Sequence, residues 1–399
     1  MNPSATGWIQ KLIYLVRNRQ IILPSELDTA FFALRQTGFL YGNSIGCSVE
    51  LSDTMEFSQE EYTKLNLVLS LYIVFQECNE DPEYSFSSEV LRFYNELAGQ
   101  NLPNFSKITS DTKHHEILEK RIHSRVRIDL PILERNFSYL LTNALLFVDV
   151  LAFRSFLTST SSPADYIAQR EALLLRTISC ALRSKEKTTT HDEMLIQLFT
   201  ASARYAKSMA IMTVYEEVLD FSVFQSVTER RYVLTLACLA VWDDYTLDSS
   251  ENKFIHSLGR TLGLSATDTA DALAHVWNFI ENFKNQIPFL TYVHPVQQFY
   301  SHTSGMVKLL ILRNKRRLYT ELQESKTLIN LLAQSTVRDL DATEKEKVRE
   351  QLLDICKTVP SLAIFVLPGG SLLMPLLVKF IPKLLPSAFR ENRISENPE

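Results

Sequence analysis

Three carboxylates lie close together in the middle of the chain, and their spacing suits either a cation or the start of a helix. Asp244, Asp248 and Glu251 follow an uncharged stretch, 232–242, that is typical of a buried helix. Carboxylates converging on one loop supply the oxygen ligands that Ca²⁺ and Mg²⁺ prefer. Asp248 and Glu251 also fit a capping box, in which two side chains bond the first free N–H groups of a helix. The sequence favours helix caps and keeps a divalent-cation site as the alternative.

A second group of metal-type side chains lies in KHHEILEKRIHSRVR, residues 113–127. His115, Glu119 and His123 recur every four residues, so on a helix they share one face, as metal ligands do. Lys and Arg residues between them repel a divalent cation. The segment therefore favours a solvated helix face over a metal site.

Signatures of catalysis are absent from the sequence. It has no glycine-rich phosphate loop, no dinucleotide fingerprint, no HExxH pair, and no serine or cysteine nucleophile in a recognisable setting. We therefore expect a non-enzymatic protein with no cofactor, apart from the cation alternative at the three carboxylates.

The elements that would position these side chains are helices throughout the chain. Glycine makes up 10 of 399 residues, or about 2.5%, whereas average proteins have about 7% glycine. Tight hairpin turns must therefore be scarce. Helix starts fit capping boxes at six places, and Pro163 after Ser162 marks a seventh start. The six are Ser25–Asp28, Ser58–Glu61, Thr190–Glu193, Asp248–Glu251, Ser265–Asp268 and Thr343–Glu346. The predicted fold class is all-α, a multi-helix body.

Apolar spacing agrees with helices. Within 266–284, Ala270, Leu273, Trp277 and Ile280 recur at three and four residues, which predicts that this face is buried. Polar linkers divide the chain into three predicted domains, 1–189, 190–295 and 296–399.

The charge of the chain limits the classes of partner, and its cysteines indicate the compartment. The net charge is −5, which argues against nucleic acid as a direct partner. One compact basic cluster, LRNKRRLY at 312–319, suits either lipid head groups or a solvated helix turn. The five cysteines form no CxxC pair, and the N-terminus is unlike a signal peptide, so we expect a cytoplasmic body with reduced thiols.

The stretch RRYVLTLACLAVWDDYTLDSSENKFIHSLGRTLGLSATDTADAL, residues 230–273, resembles the tellurite-resistance TerB-like family. That family has an apolar helix, then an acidic pattern, then a helix that ends near Leu-Gly-Leu. Asp244, Asp248 and Glu251 fall on the three acidic positions, and 262–264 on the end. The resemblance implies a TerB-like helical module within 190–295.

The C-terminal part of the chain is apolar enough for a bilayer. Residues 358–378 are 21 residues without a charge, and a bilayer core needs about 20. Three prolines repeat every seven residues, so they would line one helical face. A glycine pair offers a hinge. We predict a proline-rich membrane-type segment over 358–386, marked by Pro360, Pro368, Gly369, Gly370, Pro375, Pro382 and Pro386.

The register of these prolines resembles the membrane segment of the leucine-zipper EF-hand transmembrane (LETM) family. With the TerB-like module, the chain also resembles bacterial LETM-related, biofilm-associated proteins. The family implies cation/proton exchange and ribosome binding. Ser371 stands where the family has a glutamate, and only ten residues follow Phe389, so we expect the transport carboxylate and the downstream ribosome-binding domain to be missing.

Three functions remain open. The first is a non-enzymatic, membrane-associated scaffold or sensor, attached to the inner membrane by its C-terminus, with membrane lipid and a protein partner or second copy as partners. The second is LETM-like cation/proton transport or ribosome binding, the ribosome being implied by the family alone. The third is a soluble helical regulatory protein in which the C-terminal segment is buried.

Overall fold

The computed structural model contains helices and no strand among the residues that it describes, so the all-α prediction is confirmed for them. The described residues are 2–51, 57–79, 85–99, 111–126, 142–159, 161–184, 220–242, 248–283, 307–336, 338–358, 362 and 374–385.

The chain divides into two compact units, residues 1–292 and 293–399. The helices of the N-terminal unit are α1 (Trp8–Arg17), α2 (Leu27–Gln36), α3 (Gln59–Cys78), α4 (Phe86–Leu97), α5 (Asp111–Val126), α6 (Leu146–Thr158), α7 (Pro163–Leu182), α8 (Val227–Val241), α9 (Ser249–Thr261) and α10 (Ala266–Phe283). Short 3-10 helices lie at Phe39–Tyr41 and Phe221–Val223. Because α7 packs against α8, helices from the predicted domains 1–189 and 190–295 share one unit.

Capping boxes start three helices where the sequence predicts them. Ser58 with Glu61 caps α3, and Asp248 with Glu251 caps α9. Ser265 with Asp268 makes the same reciprocal bonds at the start of α10. Each pair satisfies N–H groups that have no partner inside the helix.

Other predicted starts differ from the structure. α2 begins after Glu26 with no side-chain cap, so Ser25 is not its cap. The helix predicted from Thr343 begins earlier, because the Asp341 carboxylate accepts the Glu344 N–H at 2.8 Å. Ser226–Glu229, which the sequence reading missed, caps α8. Thr190–Glu193 lies outside the described residues.

The core of the N-terminal unit surrounds α3, which is buried without a break from Thr63 to Phe75. A helix buried on every side is typical of the centre of a domain. α3 packs against α2, α5 and α6. Polar groups in α3 are satisfied locally; the Asn66 side chain, for example, bonds the Ser48 N–H and the Gly46 carbonyl at 2.9 Å each.

An ion pair lies inside this core. The Asp149 side chain on α6 is fully buried and accepts hydrogen bonds from Arg125 at 2.6 and 2.7 Å. It also accepts the Tyr94 hydroxyl at 3.2 Å. The contact therefore joins α4, α5 and α6.

Helix α10 exists as predicted, and Ile280 of the predicted face is buried, but the rest of the buried face is different. Thr269, Ala272, Val276 and Phe279 are buried, whereas Trp277 is 40% exposed. The neighbouring elements decide which side of α10 is buried. Thr269 packs where a Cβ on Gly259 would lie, and the centre of the Phe279 ring lies 4.7 Å from that of Tyr41.

The C-terminal unit contains a helical stretch, α11 (307–313), followed by α12 (Lys315–Gln323), α13 (Lys326–Gln334), α14 (Ala342–Thr358) and α15 (Met374–Leu384). α13 packs against α12, α14 and α15. The core of the C-terminal unit is apolar, and the described part of this unit contains no buried charged side chain.

Candidate functional site

Asp248 and Glu251, the two residues of the predicted acidic cluster that the structure describes, form the start of α9. The Asp248 carboxylate accepts the N–H groups of Ser250 at 2.7 Å and Glu251 at 2.8 Å, and Glu251 accepts the Asp248 N–H at 2.9 Å. Glu251 is 3% exposed. No group of three metal-ligating side chains occurs among the described residues, which do not include Asp244. Because Asp244 lies outside them, the cation site stays a prediction.

The histidine-rich segment forms α5, and of the predicted solvated face His123 is exposed, His115 is half-buried and Glu119 is buried. His114 and Glu119 are buried, and Leu118, Ile122 and Val126 share their side of the helix. Three buried apolar residues at this spacing place one side of α5 against the core.

The metal-type residues of α5 have different partners. His115 Nδ1 lies 2.6 Å from Ser87 Oγ, and His123 Nδ1 lies 3.5 Å from Glu60 Oε1. Glu119 accepts the N–H groups of Gly7 and Ile9 at 3.0 Å each, at the start of α1. Burial raises the pKa of Glu119 despite these bonds. The carboxylate therefore caps a helix distant in sequence.

The predicted transmembrane helix is not supported by the described residues. None of their helices combines the length and the apolar character needed to cross a membrane. α15 has 11 residues, about 16 Å at 1.5 Å per residue, against a bilayer core of about 30 Å. Leu377, Phe380 and Ile381 are buried in the apolar core of the C-terminal unit instead.

The residues predicted to mark the membrane segment fall into two groups. Pro375 and Pro382 lie in α15. The others lie outside the described residues, as does Ser371: Pro360, Pro368, Gly369, Gly370 and Pro386.

Two lysines approach the Phe380 ring on the C-terminal unit, and a third lies nearby on α15. Lys308 Nζ lies 4.8 Å and Lys379 Nζ 5.7 Å from the centre of the Phe380 ring. Lys383 follows Lys379 by one helical turn, so the two share a face of α15. All three lysines are exposed, and Phe380 is 7% exposed. We call Lys308, Lys379 and Lys383 the lysine cluster.

The basic stretch 312–319 is arranged differently. Lys315, Arg316 and Arg317 are exposed on α12. Neighbours in sequence do not face one another on a helix, so these three cations point in diverging directions. The stretch is compact in sequence but not on the surface.

A polar cleft of about 740 Å³ lies in the N-terminal unit, between the end of α6 and the starts of α7 and α8. The Glu229 carboxylate accepts Tyr166 at 2.6 Å and Arg170 at 2.9 Å, and Arg170 stacks on the Tyr166 ring at 3.4 Å. Burial raises the pKa of Glu229, but hydrogen bonds from Tyr166, the Ser226 N–H and Arg170 outweigh it and hold the pKa below its usual value. These contacts fix α7 to α8.

The described residues define the class of this protein as all-helical with two compact units. The smaller unit presents the lysine cluster. Residues 340–398, which include α14 and α15, match the family described as "LETM1-like, RBD", where RBD denotes a ribosome-binding domain. No curated protein and no solved structure matches the chain. The match supports the LETM-like resemblance of the C-terminus.

The match also changes one expectation. It begins at residue 340, before the apolar segment, so the prediction that the ribosome-binding domain is missing after Phe389 is wrong. It covers 59 of the 399 residues and leaves the TerB-like and biofilm-associated resemblances as predictions.

The sequence reading missed the lysine cluster and the Tyr166–Arg170–Glu229 contact. Lys308 is 71 positions from Lys379, and no local pattern joins them. The signal that could have helped is the composition of α15 and 307–313, which carry lysines and no acidic residue.

Proposed function

We propose that the chain is a non-enzymatic binding protein whose C-terminal unit attaches to ribosomes. The match of residues 340–398 to a LETM1-like ribosome-binding domain is the observation that carries the proposal. The matched region contributes α14 and α15, which pack on α13, so the binding surface belongs to a folded unit.

The charge of the C-terminal unit supports this partner. It has 15 Lys and Arg residues against 11 Asp and Glu, a net charge of +4. Lys315, Arg316 and Arg317 are exposed, and no described carboxylate lies within ion-pair distance of them. A cationic surface raises the rate at which an anionic partner is captured. Ribosomes, rich in RNA phosphate, are such a partner.

The N-terminal unit is the scaffold in this proposal. With 26 Lys and Arg against 35 Asp and Glu, its net charge is −9, so it is repelled by the RNA that the C-terminal unit attracts. We therefore assign ribosome contact to the C-terminal unit and leave the N-terminal unit for a protein partner or a second copy.

Sedimentation through a sucrose cushion tests the proposal. Full-length protein mixed with ribosomes of its own source should pellet with them at low salt, and high salt should release it, because screening weakens charge contacts. Protein that stays in the supernatant at every salt concentration would contradict ribosome attachment.

Vesicle flotation, run on the same protein, tests the alternative of a membrane-associated scaffold with its cytoplasmic body. The uncharged stretch 358–378 supports that alternative. Protein that floats with vesicles of neutral lipid but does not pellet with ribosomes would replace our proposal by membrane attachment.

A further inference from the structure

Helix α1 of the N-terminal unit has one exposed side that carries cations and an aromatic ring. Lys11, Tyr14 and Arg17 follow one another at intervals of three residues, so they share one side of the helix. All three are exposed, Tyr14 at 62%, whereas Trp8 and Leu12 on the other side are buried. One side of α1 therefore packs on the core, and the other is left to the surface.

The chain turns back at the end of α1 and exposes two further side chains. The N–H groups of Gln20 and Ile21 donate to the Leu15 carbonyl at 2.9 and 3.3 Å, so this turn lies against the end of the helix. Arg19 has a φ of 54°, in the left-handed region that favours glycine or asparagine, and it is exposed. Ile22 is 83% exposed. We call Lys11, Tyr14, Arg17, Arg19 and Ile22 the basic corner.

The basic corner differs in charge from the rest of its unit. Residues 1–25 contain three cations, Lys11, Arg17 and Arg19, and no acidic residue. The unit as a whole has 26 Lys and Arg against 35 Asp and Glu, a net charge of −9. None of the three cations forms an ion pair with a carboxylate of the described residues. A local basic surface attracts an anionic partner.

The apolar members of the basic corner narrow the class of that partner. Ile22 is stabilised only where its exposed aliphatic surface leaves water. The ring and hydroxyl of Tyr14 suit a boundary between an apolar and an aqueous phase. Cations beside such side chains are typical of helices that lie in the plane of an anionic membrane. An anionic bilayer offers head groups to the cations and acyl chains to Ile22.

We propose that Lys11, Arg17 and Arg19 bind the head groups of an anionic membrane surface, and that Tyr14 and Ile22 enter the boundary between head groups and acyl chains. The 10 residues of α1 span about 15 Å and lie along the surface, because the other side of the helix stays packed on the core. The contact is peripheral. It requires neither the proposed ribosome attachment nor the apolar stretch 358–378.

Flotation of the full-length chain with vesicles tests the proposal. Vesicles of phosphatidylcholine mixed with phosphatidylglycerol supply the negative charge, and vesicles of phosphatidylcholine alone are the neutral comparison. The parent chain should bind the anionic vesicles at low salt, and added salt should weaken the binding because it screens the charges. Binding through the apolar stretch 358–378 would instead resist salt and occur with neutral lipid as well.

A variant without the three cations measures their contribution. It carries Lys11→Gln, Arg17→Gln and Arg19→Asn, since asparagine accepts a left-handed backbone at position 19. Each Lys or Arg near an anionic surface contributes about fivefold to binding, so this variant should bind anionic vesicles about 100-fold more weakly. A charge-matched control changes three exposed cations elsewhere in the unit to Gln and should bind as the parent does; these are Arg183, Lys253 and Arg260.

The variant Ile22→Ser tests the apolar contact with every charge in place. It should weaken binding to anionic vesicles about tenfold, because the aliphatic side chain no longer leaves water. All the changed side chains are exposed, so circular dichroism melting of each variant should match the parent. That comparison separates lost contact from lost folding.

Hydrogen exchange locates the contact independently of other basic surfaces of the chain. With anionic vesicles present, exchange in the parent chain should slow within residues 8–22. Unchanged exchange in these residues, in a chain that floats with the vesicles, would overturn the proposal.

Three other results would also overturn it. The first is equal vesicle binding by the parent and the variant without the three cations, and the second is unchanged binding after Ile22→Ser. The third is binding to polyglutamate, lost in the variant without the cations, by a parent chain that ignores anionic vesicles; it would assign the basic corner to an acidic protein. A chain that pellets with ribosomes but ignores anionic vesicles would refute the membrane contact and leave ribosome attachment in place.

Discussion

The two units of the chain use charged side chains in different ways. In the N-terminal unit, carboxylates and cations are buried and bonded within the fold, as in Arg125–Asp149 and Arg170–Glu229. In the C-terminal unit, the core is apolar and the charged side chains of the described residues lie outside it. The difference teaches that buried charge joins helices in the first unit, whereas in the described part of the second unit charge lies outside the core.

Loss of Asp149 should have the largest effect on stability. Asp149→Ala leaves the Arg125 guanidinium and the Tyr94 hydroxyl without their buried acceptor, and breaking such a pair costs about 3–5 kcal/mol. Denaturation followed by tryptophan fluorescence reports this unit alone, because Trp8, Trp242 and Trp277 all lie in 1–292. A loss below about 1 kcal/mol would show that this ion pair does not specify the core.

Glu229 provides the next largest effect, and one that depends on pH. Glu229→Gln keeps an acceptor for Tyr166 but removes the charge opposite Arg170, so we expect a loss of about 2 kcal/mol at neutral pH. Since the folded pKa of Glu229 lies below its unfolded value, the charge stabilises the fold above the usual carboxyl pKa of about 4.3. That contribution is lost as pH falls through the folded pKa.

The measurement for Glu229 is the difference in unfolding free energy between parent and variant, followed from neutral to acid pH. The difference should shrink below about pH 4.3. A difference that stays constant with pH would mean that the carboxylate contributes through shape alone.

Glu119 should show a smaller, local effect. Glu119→Ala removes the acceptor of the Gly7 and Ile9 N–H groups, and loss of a helix cap costs about 1 kcal/mol. Hydrogen exchange should speed up in α1 and little elsewhere. Glu116→Ala, an exposed position one turn earlier, is the control; equal effects from both variants would exclude the capping role.

Exposed pairs in the C-terminal unit should have the smallest effect. The side chains of Asp354 and Lys357 are 72% and 60% exposed, so Asp354→Asn should change the stability of α14 by less than about 0.5 kcal/mol. Hydrogen exchange in 342–358 measures this. A loss as large as that of Asp149→Ala would remove the contrast between the units.

Local features were predictable from the sequence, and contacts between distant segments were not. The caps Ser58–Glu61 and Asp248–Glu251 depend on residues three apart, so a local rule finds them. The buried face of α10 depends on which helices surround it, and the sequence reading placed Trp277 inside.

The candidate site shows the same limit. The sequence indicated a LETM-like C-terminus, and the family match agrees. It also selected 312–319 as the basic cluster, because those cations are adjacent in the chain. The lysine cluster needs Lys308 and Lys379 to meet at Phe380, a contact set by the packing of the unit.

The most direct test of the account is to find which unit touches the ribosome. Amine-reactive crosslinking of the full-length chain to ribosomes, followed by mass spectrometry, compares exposed lysines in both units, for example Lys11 and Lys120 with Lys345 and Lys383. We predict crosslinks to ribosomal components from 293–399, most strongly from the lysine cluster. Crosslinks confined to 1–292 would contradict the central claim that the charge of the C-terminal unit serves a partner.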